Sequence, residues 1–95
     1  MDIHHLAIDI KAWADEVFPG RTDASMFLKL YGEVAELIES GSDCEDEVAD
    51  ILILVLDYAL RKGVNASSAI QRKMIVNRQR IWEITNMGTM QHVGK

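Results

Sequence analysis

The sequence predicts an all-α protein, an antiparallel four-helix bundle that assembles into oligomers. Three observations lead there. Apolar residues recur at helical spacing in four successive segments, and the strongest chain breakers fall between them. Sheet signals are few: there is one Pro, no Asn-Gly or Asp-Gly pair, and no sustained two-residue alternation. One segment, finally, is apolar on most of its circumference, which calls for burial on more than one side.

The first helix is expected from about His4 to Phe18, with Leu6, Ile10, Trp13 and Val17 along one face. The stretch "FPGR" ends it, with Pro19 and Gly20 as breakers. The second is expected from Asp23 to Ser40, its apolar stripe made by Phe27, Leu30, Tyr31, Val34, Leu37 and Ile38. Gly41 suits the left-handed position after a helix. Ser42 followed by Glu45 has the capping-box spacing, so the third helix is expected to start there and run to Lys62, stopped by Gly63. Its interior "VADILILVLDYAL" is the nearly all-round apolar segment, and it points to a partner subunit. The fourth helix is expected from Ser67 to Ile84, and the tail "TNMGTMQHVGK" reads as irregular or loosely docked.

Size and composition narrow the function. With no repeat or linker, the 95 residues read as a single domain, 1–95, and 48% apolar content is ample for a core. A chain of this size buries only roughly 60–65% of its unfolded surface, so alone it would be marginal. The single Cys44 excludes an intramolecular disulfide and fits a reducing, cytoplasmic setting. No leader is visible, and the longest apolar run, "ILILVL", falls far short of the ~20 residues of a membrane span. A net charge of -5 argues against nucleic acid as partner, because affinity for it rests on Lys and Arg at the phosphates.

Carboxylates carry the strongest chemical signal. Glu33 and Glu36 share one helix face, and Glu47 and Asp50 share a face of the next. The connection between those helices is short enough to require antiparallel neighbours. Residues level with each other in such a hairpin have a constant positional sum; Glu36 with Glu47 gives 83, and so does Glu33 with Asp50. Four carboxylates then converge beside apolar surface. Unpaired, they are costly there, and a hard divalent cation, Mg²⁺ or Mn²⁺, is the natural compensation. The competing reading is an ordinary solvated acidic face. Asp57 continues the third-helix stripe as an outer support, while Glu39, Asp43, Glu45 and Asp46 read as surface and capping acids.

A cationic row complements the acids. Lys73, Asn77 and Arg80 lie at i, i+4 and i+7 of the fourth helix, within about a sixth of its circumference. Such a row suits phosphate oxygens. Lys29, one turn before Glu33, serves either as a further phosphate contact or as that residue's salt-bridge partner. Trp13, Phe27, Tyr31 and Trp82 read as core before ligand stack, with Trp13 the choice for a nucleobase neighbour. His4 and His5 lack ligand spacing, and His92 sits in a tail able to close over a site.

In their order, these residues resemble a known family. "GEVAEL" followed by "EDEVADILILVLDYALRKG" is similar to the MazG-like all-α nucleotide pyrophosphohydrolases, whose signature is ExxE on one helix and ExxD on the next. "KMIVNRQRIW" followed by "GTMQHV" is similar to a small, often phage-encoded subgroup, and the resemblance spans about Trp13 to Val93. It implies a MazG-like bundle in which Glu33, Glu36, Glu47 and Asp50 ligate Mg²⁺, and Lys73, Asn77 and Arg80 contact phosphates. It implies Glu36 or Glu33 as the catalytic group acting on water. The implied reaction is hydrolysis of a (deoxy)nucleoside triphosphate to the monophosphate and pyrophosphate, in nucleotide-pool control, by a homodimer or homotetramer. Many members carry two adjacent acids where this chain has Gly32-Glu33, which leaves the number of metal ions open. Two alternatives stand beside this reading. One is a narrow-substrate relative acting on dUTP, dCTP or phosphoribosyl-ATP; the other is a non-enzymatic helical interaction module.

Overall fold

The computed structural model describes residues 2–93. Four helices follow one another: α1 (Ile3–Val17), α2 (Asp23–Ser40), α3 (Glu45–Arg61) and α4 (Ala66–Gln79). A hairpin of β1 (Ile81–Ile84) and β2 (Met90–Val93) ends the fold.

Local chemistry sets the helix ends. Asp2 caps α1, its side chain accepting from the His5 N–H at 2.9 Å. Thr22 and Ser25 form a reciprocal capping box at the start of α2. Asn65 caps α4 by accepting from the Ser68 N–H at 3.1 Å. Helices α2 and α3 are followed by glycines in the left-handed region, Gly41 at φ 65° and Gly63 at φ 72°, where a Cβ would be strained.

Helix α3 is central. It packs on α1 and α2, while α4 lies against α1 and more lightly against α3. The core of the single chain is thin: among the described residues the buried apolar ones are Ala7, Ala14, Met26 and Ala66, and no large side chain is fully buried. Among the described residues no helix is long and apolar enough to cross a membrane.

Three expectations are corrected. The third helix starts at Glu45, not Ser42; Cys44 holds the N-cap position without a side-chain hydrogen bond, so the Ser42–Glu45 capping box does not form. Three acids in the first turn stabilise that end through the helix dipole instead. The fourth helix stops at Gln79, short of Ile84, because "IWEI" is β-branched and aromatic and finds an antiparallel partner in "MQHV". The tail is therefore ordered as a hairpin, its turn closed by Thr85 and Thr89 backbone bonds and by Gly88 at φ 79°. Lastly, the aromatics read as core are not buried in one chain: Trp13, Phe27, Tyr31 and Trp82 all remain exposed.

Candidate active site

The acidic hairpin folds as its spacing requires. Helix α2 brings Glu33 inward until it is only 5% exposed, against one wall of a cavity of about 410 Å³. Asp50 lines the same cavity from α3, together with Lys29, Arg21, Ser25, Met26 and the rings of Trp13 and Phe18. A volume of this order accommodates a small organic ligand. Its walls carry acidic, cationic and aromatic side chains, and two of the aromatics, Trp13 and Phe18, meet edge to face with centroids 5.6 Å apart.

Charges in the hairpin are mutually coupled. Lys29 Nζ sits 2.9 Å from Glu33 Oε1, one turn away on α2. That contact raises the lysine's pKa, and the charges of Glu36 and Asp50 raise it further. The Glu36 pKa is raised as well, first by the neighbouring charge of Glu33 and then by loss of water, with Glu47 adding to the effect. Of the two level pairs read from the positional sums, Glu36 with Glu47 is represented in the electrostatics. Among the described residues no three His, Cys, Asp or Glu side chains lie together as a group able to hold a metal ion.

One atom decides whether the site fits a cation. Glu33 Oε2 is buried and has no hydrogen-bond partner among the described residues. A buried anionic oxygen left bare is costly unless a positive group reaches it. A hard divalent ion with oxygen ligands meets that need, and Asp50 lines the same cavity as Glu33.

The cationic row stands elsewhere. Arg80 is not helical; it caps α4 with ψ 155° in extended backbone, so the i, i+4, i+7 row is broken at its last member. Lys73, Asn77 and Arg80 line neither this cavity nor the second one. Asn77 instead uses its carbonyl to accept from Trp82 Nε1 at 2.8 Å, tying the hairpin to the end of α4. Of the residues read as phosphate contacts, only Lys29 reaches the cavity of its own chain. His92 pairs with Trp82 across the hairpin, with ring centroids 5.7 Å apart, and does not close over the site. Asp57 does line the cavity, but its carboxylate is gripped by Arg21.

No family model matches the chain. A relative from Cyanophage S-2L, described as a dATP/dGTP diphosphohydrolase, is 38% identical over 92 residues, covering 96% of this chain and 88% of the relative. The chain belongs to the MazG-like pyrophosphohydrolases. A solved structure described as the Cyanophage S-2L MazG-like pyrophosphohydrolase, bound to dGDP and three catalytic Mn²⁺ ions per active site, superposes with a TM-score of 0.88. It is 38% identical, and 99% of each chain is covered. The MazG-like bundle and the enzyme class, nucleoside triphosphate pyrophosphohydrolase, follow with this membership. A further relative of the same description, from Salmonella phage PMBT28, is 42% identical over 84 residues. The match covers 88% of this chain but only 29% of that longer protein.

Sequence reasoning missed Arg21, Ser25 and Phe18 as cavity residues. The stretch "FPGR" reads only as a break between helices. The ion pair that makes Arg21 part of the site joins positions 36 residues apart, which no local pattern reveals.

Proposed function

We propose that this MazG-like chain hydrolyses a purine deoxynucleoside triphosphate to the monophosphate and pyrophosphate, using Mg²⁺ or Mn²⁺, in control of the nucleotide pool. The observation that carries the proposal is the buried, unpartnered Glu33 oxygen beside Lys29 and Asp50 in an aromatic-lined cavity. The descriptions of the cyanophage and Salmonella phage relatives as dATP/dGTP diphosphohydrolases, and the dGDP and Mn²⁺ in the solved relative, support the choice of substrate and ion.

Divalent cations on Glu33, Glu36, Glu47 and Asp50 would neutralise the triphosphate and lower the pKa of bound water. The chain's own residues divide the remaining work. Glu36 orients the attacking water and takes its proton at a carboxylate oxygen. Glu33 shares that role if the water enters from its side. The water oxygen bonds to the α-phosphorus as the bond to the α,β-bridging oxygen breaks, and pyrophosphate leaves. Lys29 meets charge on the phosphoryl oxygens, and Trp13 offers a face to the base.

The active assembly is a homodimer or homotetramer. The single chain exposes 7328 Å², whereas a folded monomer of this mass exposes about 5,500 Å². Its radius of gyration, 15.8 Å, also exceeds the ~12 Å of a compact 95-residue domain. A second cavity, lined by Leu6, Leu52, Val55 and Ile70 among other apolar residues, marks a face for a neighbouring subunit. In such an assembly Lys73, Asn77 and Arg80 are free to serve a neighbour's phosphates.

Pyrophosphate release from a panel of dNTPs and NTPs, with Mn²⁺, Mg²⁺ or EDTA, tests the reading. Metal-dependent release, fastest with dGTP or dATP, is the expected result. Folded protein that releases pyrophosphate from no nucleotide would overturn it.

A further inference from the structure

Arg21 is the cavity residue that neither the acids nor the aromatics account for. It stands in the connection between α1 and α2, with a side chain only 8% exposed. Its Nε donates to Asp57 Oδ2 at 2.8 Å and its Nη2 to Asp57 Oδ1 at 2.9 Å. Nη2 also donates to Asp15 Oδ1 at 2.8 Å, and Nη1 donates to the Phe18 carbonyl at 3.2 Å. Asp57 is itself buried. The two-pronged grip is one that a guanidinium makes and an ammonium does not.

Each end of this clamp holds a different part of the site. Asp57 lies two turns beyond Asp50 on the same stripe of α3, so holding it fixes the rotation of α3 that turns Asp50 toward the cavity. At the other end, the bonds to Asp15 and to the Phe18 carbonyl fix the close of α1, where Phe18 abuts Trp13. One guanidinium thereby links α3, which supplies the cavity's Asp50, to the close of α1, which supplies its aromatic pair.

We infer that Arg21 is a positioning residue that sets the separation between the phosphate end and the base end of the nucleotide cavity, and through it the preference for a purine over the smaller pyrimidine. This rests on the nucleotide reading above. Arg21 touches no reacting atom; it acts through Asp57 and Phe18.

Two variants test it. Arg21→Lys keeps a cation opposite Asp57 but loses the fork. Arg21→Met combined with Asp57→Leu removes both charges, so no buried carboxylate is stranded if the first variant fails to fold. The readouts are dGDP binding by calorimetry with Mn²⁺, Mn²⁺ binding alone, and kcat and KM for dGTP and dCTP. A displaced wall is expected to raise the Kd for dGDP and the KM for dGTP by about 10-fold to 100-fold. The dGTP-to-dCTP ratio in kcat/KM should fall by a similar factor. Mn²⁺ binding without nucleotide should weaken much less than dGDP binding, and kcat for dGTP should fall much less than kcat/KM. Folded variants that keep the wild-type dGDP affinity and base ratio would overturn the inference and leave Arg21 a mere tie between helices. Loss of kcat at unchanged KM and unchanged ratio would overturn it too. The nucleotide reading fails differently, in wild-type protein that releases no pyrophosphate.

Discussion

Lys29 and Glu33 form an ion pair of 2.9 Å in which the lysine is two-thirds exposed and the glutamate almost wholly buried. The exposed partner retains most of its hydration. The buried one has this single charged contact on one oxygen and none on the other. The proposed role of Glu33 as a cation ligand turns on that bare oxygen. Replacing it with Gln preserves shape and removes the charge. Glu33→Gln should fold, melt within a few degrees of wild type without metal, and lose stabilisation by Mn²⁺ in a thermal-shift titration. Pyrophosphate release should fall by at least about 10²-fold, as for other losses of a directly acting group. Retained metal stabilisation would show that Glu33 is not a ligand.

Glu36 governs the expected pH dependence. Its pKa is raised from 4.5, chiefly by the charge of Glu33. The folded state therefore binds this proton more tightly than the unfolded chain does. In metal-free protein, stability contributed at this position is present at low pH and is lost as pH rises through the elevated folded value. Thermal melts without metal should show Glu36→Gln as stable as wild type or more so near neutrality, and the difference should shrink as the solution is acidified.

Trp13 tests the aromatic wall of the cavity. Stacking of a base on an aromatic ring is worth about 1–3 kcal/mol. Trp13→Ala is therefore expected to raise KM for dGTP by roughly 10-fold to 100-fold, with Mn²⁺ stabilisation intact. An unchanged KM would place the base elsewhere.

The apolar second cavity tests assembly. Sedimentation of wild type should give at least twice the 10.7 kDa chain mass. Leu52→Glu or Ile70→Glu, each placing a charge where a neighbour's apolar surface would lie, should shift the distribution toward monomer and lower the melting temperature. Monomeric wild-type protein at micromolar concentration would contradict the proposed oligomer.

What the chain discloses without a structure is what lies close in sequence. The pairing of Glu36 with Glu47 follows from a short turn and the helical repeat, and the charge of Glu47 adds to the raised Glu36 pKa. Gly41 and Gly63 mark their helix ends because no other residue takes that backbone angle so cheaply. The Ser42–Glu45 pattern misleads because capping-box spacing is only a local preference, and the helix starts three residues later. Arg80 misleads more seriously. A row drawn on an assumed helix has no meaning once Ile81 and Trp82 pair with Val93 and His92. Asp57 is legible as a continuation of the acidic stripe of α3, but its partner Arg21 is silent, because an ion pair between positions 36 residues apart leaves no periodic trace. The thin core of one chain was legible only indirectly, in the all-round apolar character of "ILILVL".

The tight connection at Gly41 also bears on how the site comes into being. Glu33 and Asp50 are only 17 positions apart, so closing the loop between them costs little chain entropy. Low contact order of this kind belongs to the fast steps of folding. The acids would gather before α1 and α4 dock, and would repel one another while they do. A divalent cation present during refolding should therefore accelerate folding itself, besides slowing unfolding, with stopped-flow rates in Mn²⁺ and EDTA as the measurement. The metal would be a nucleus for the fold as much as a participant in its chemistry.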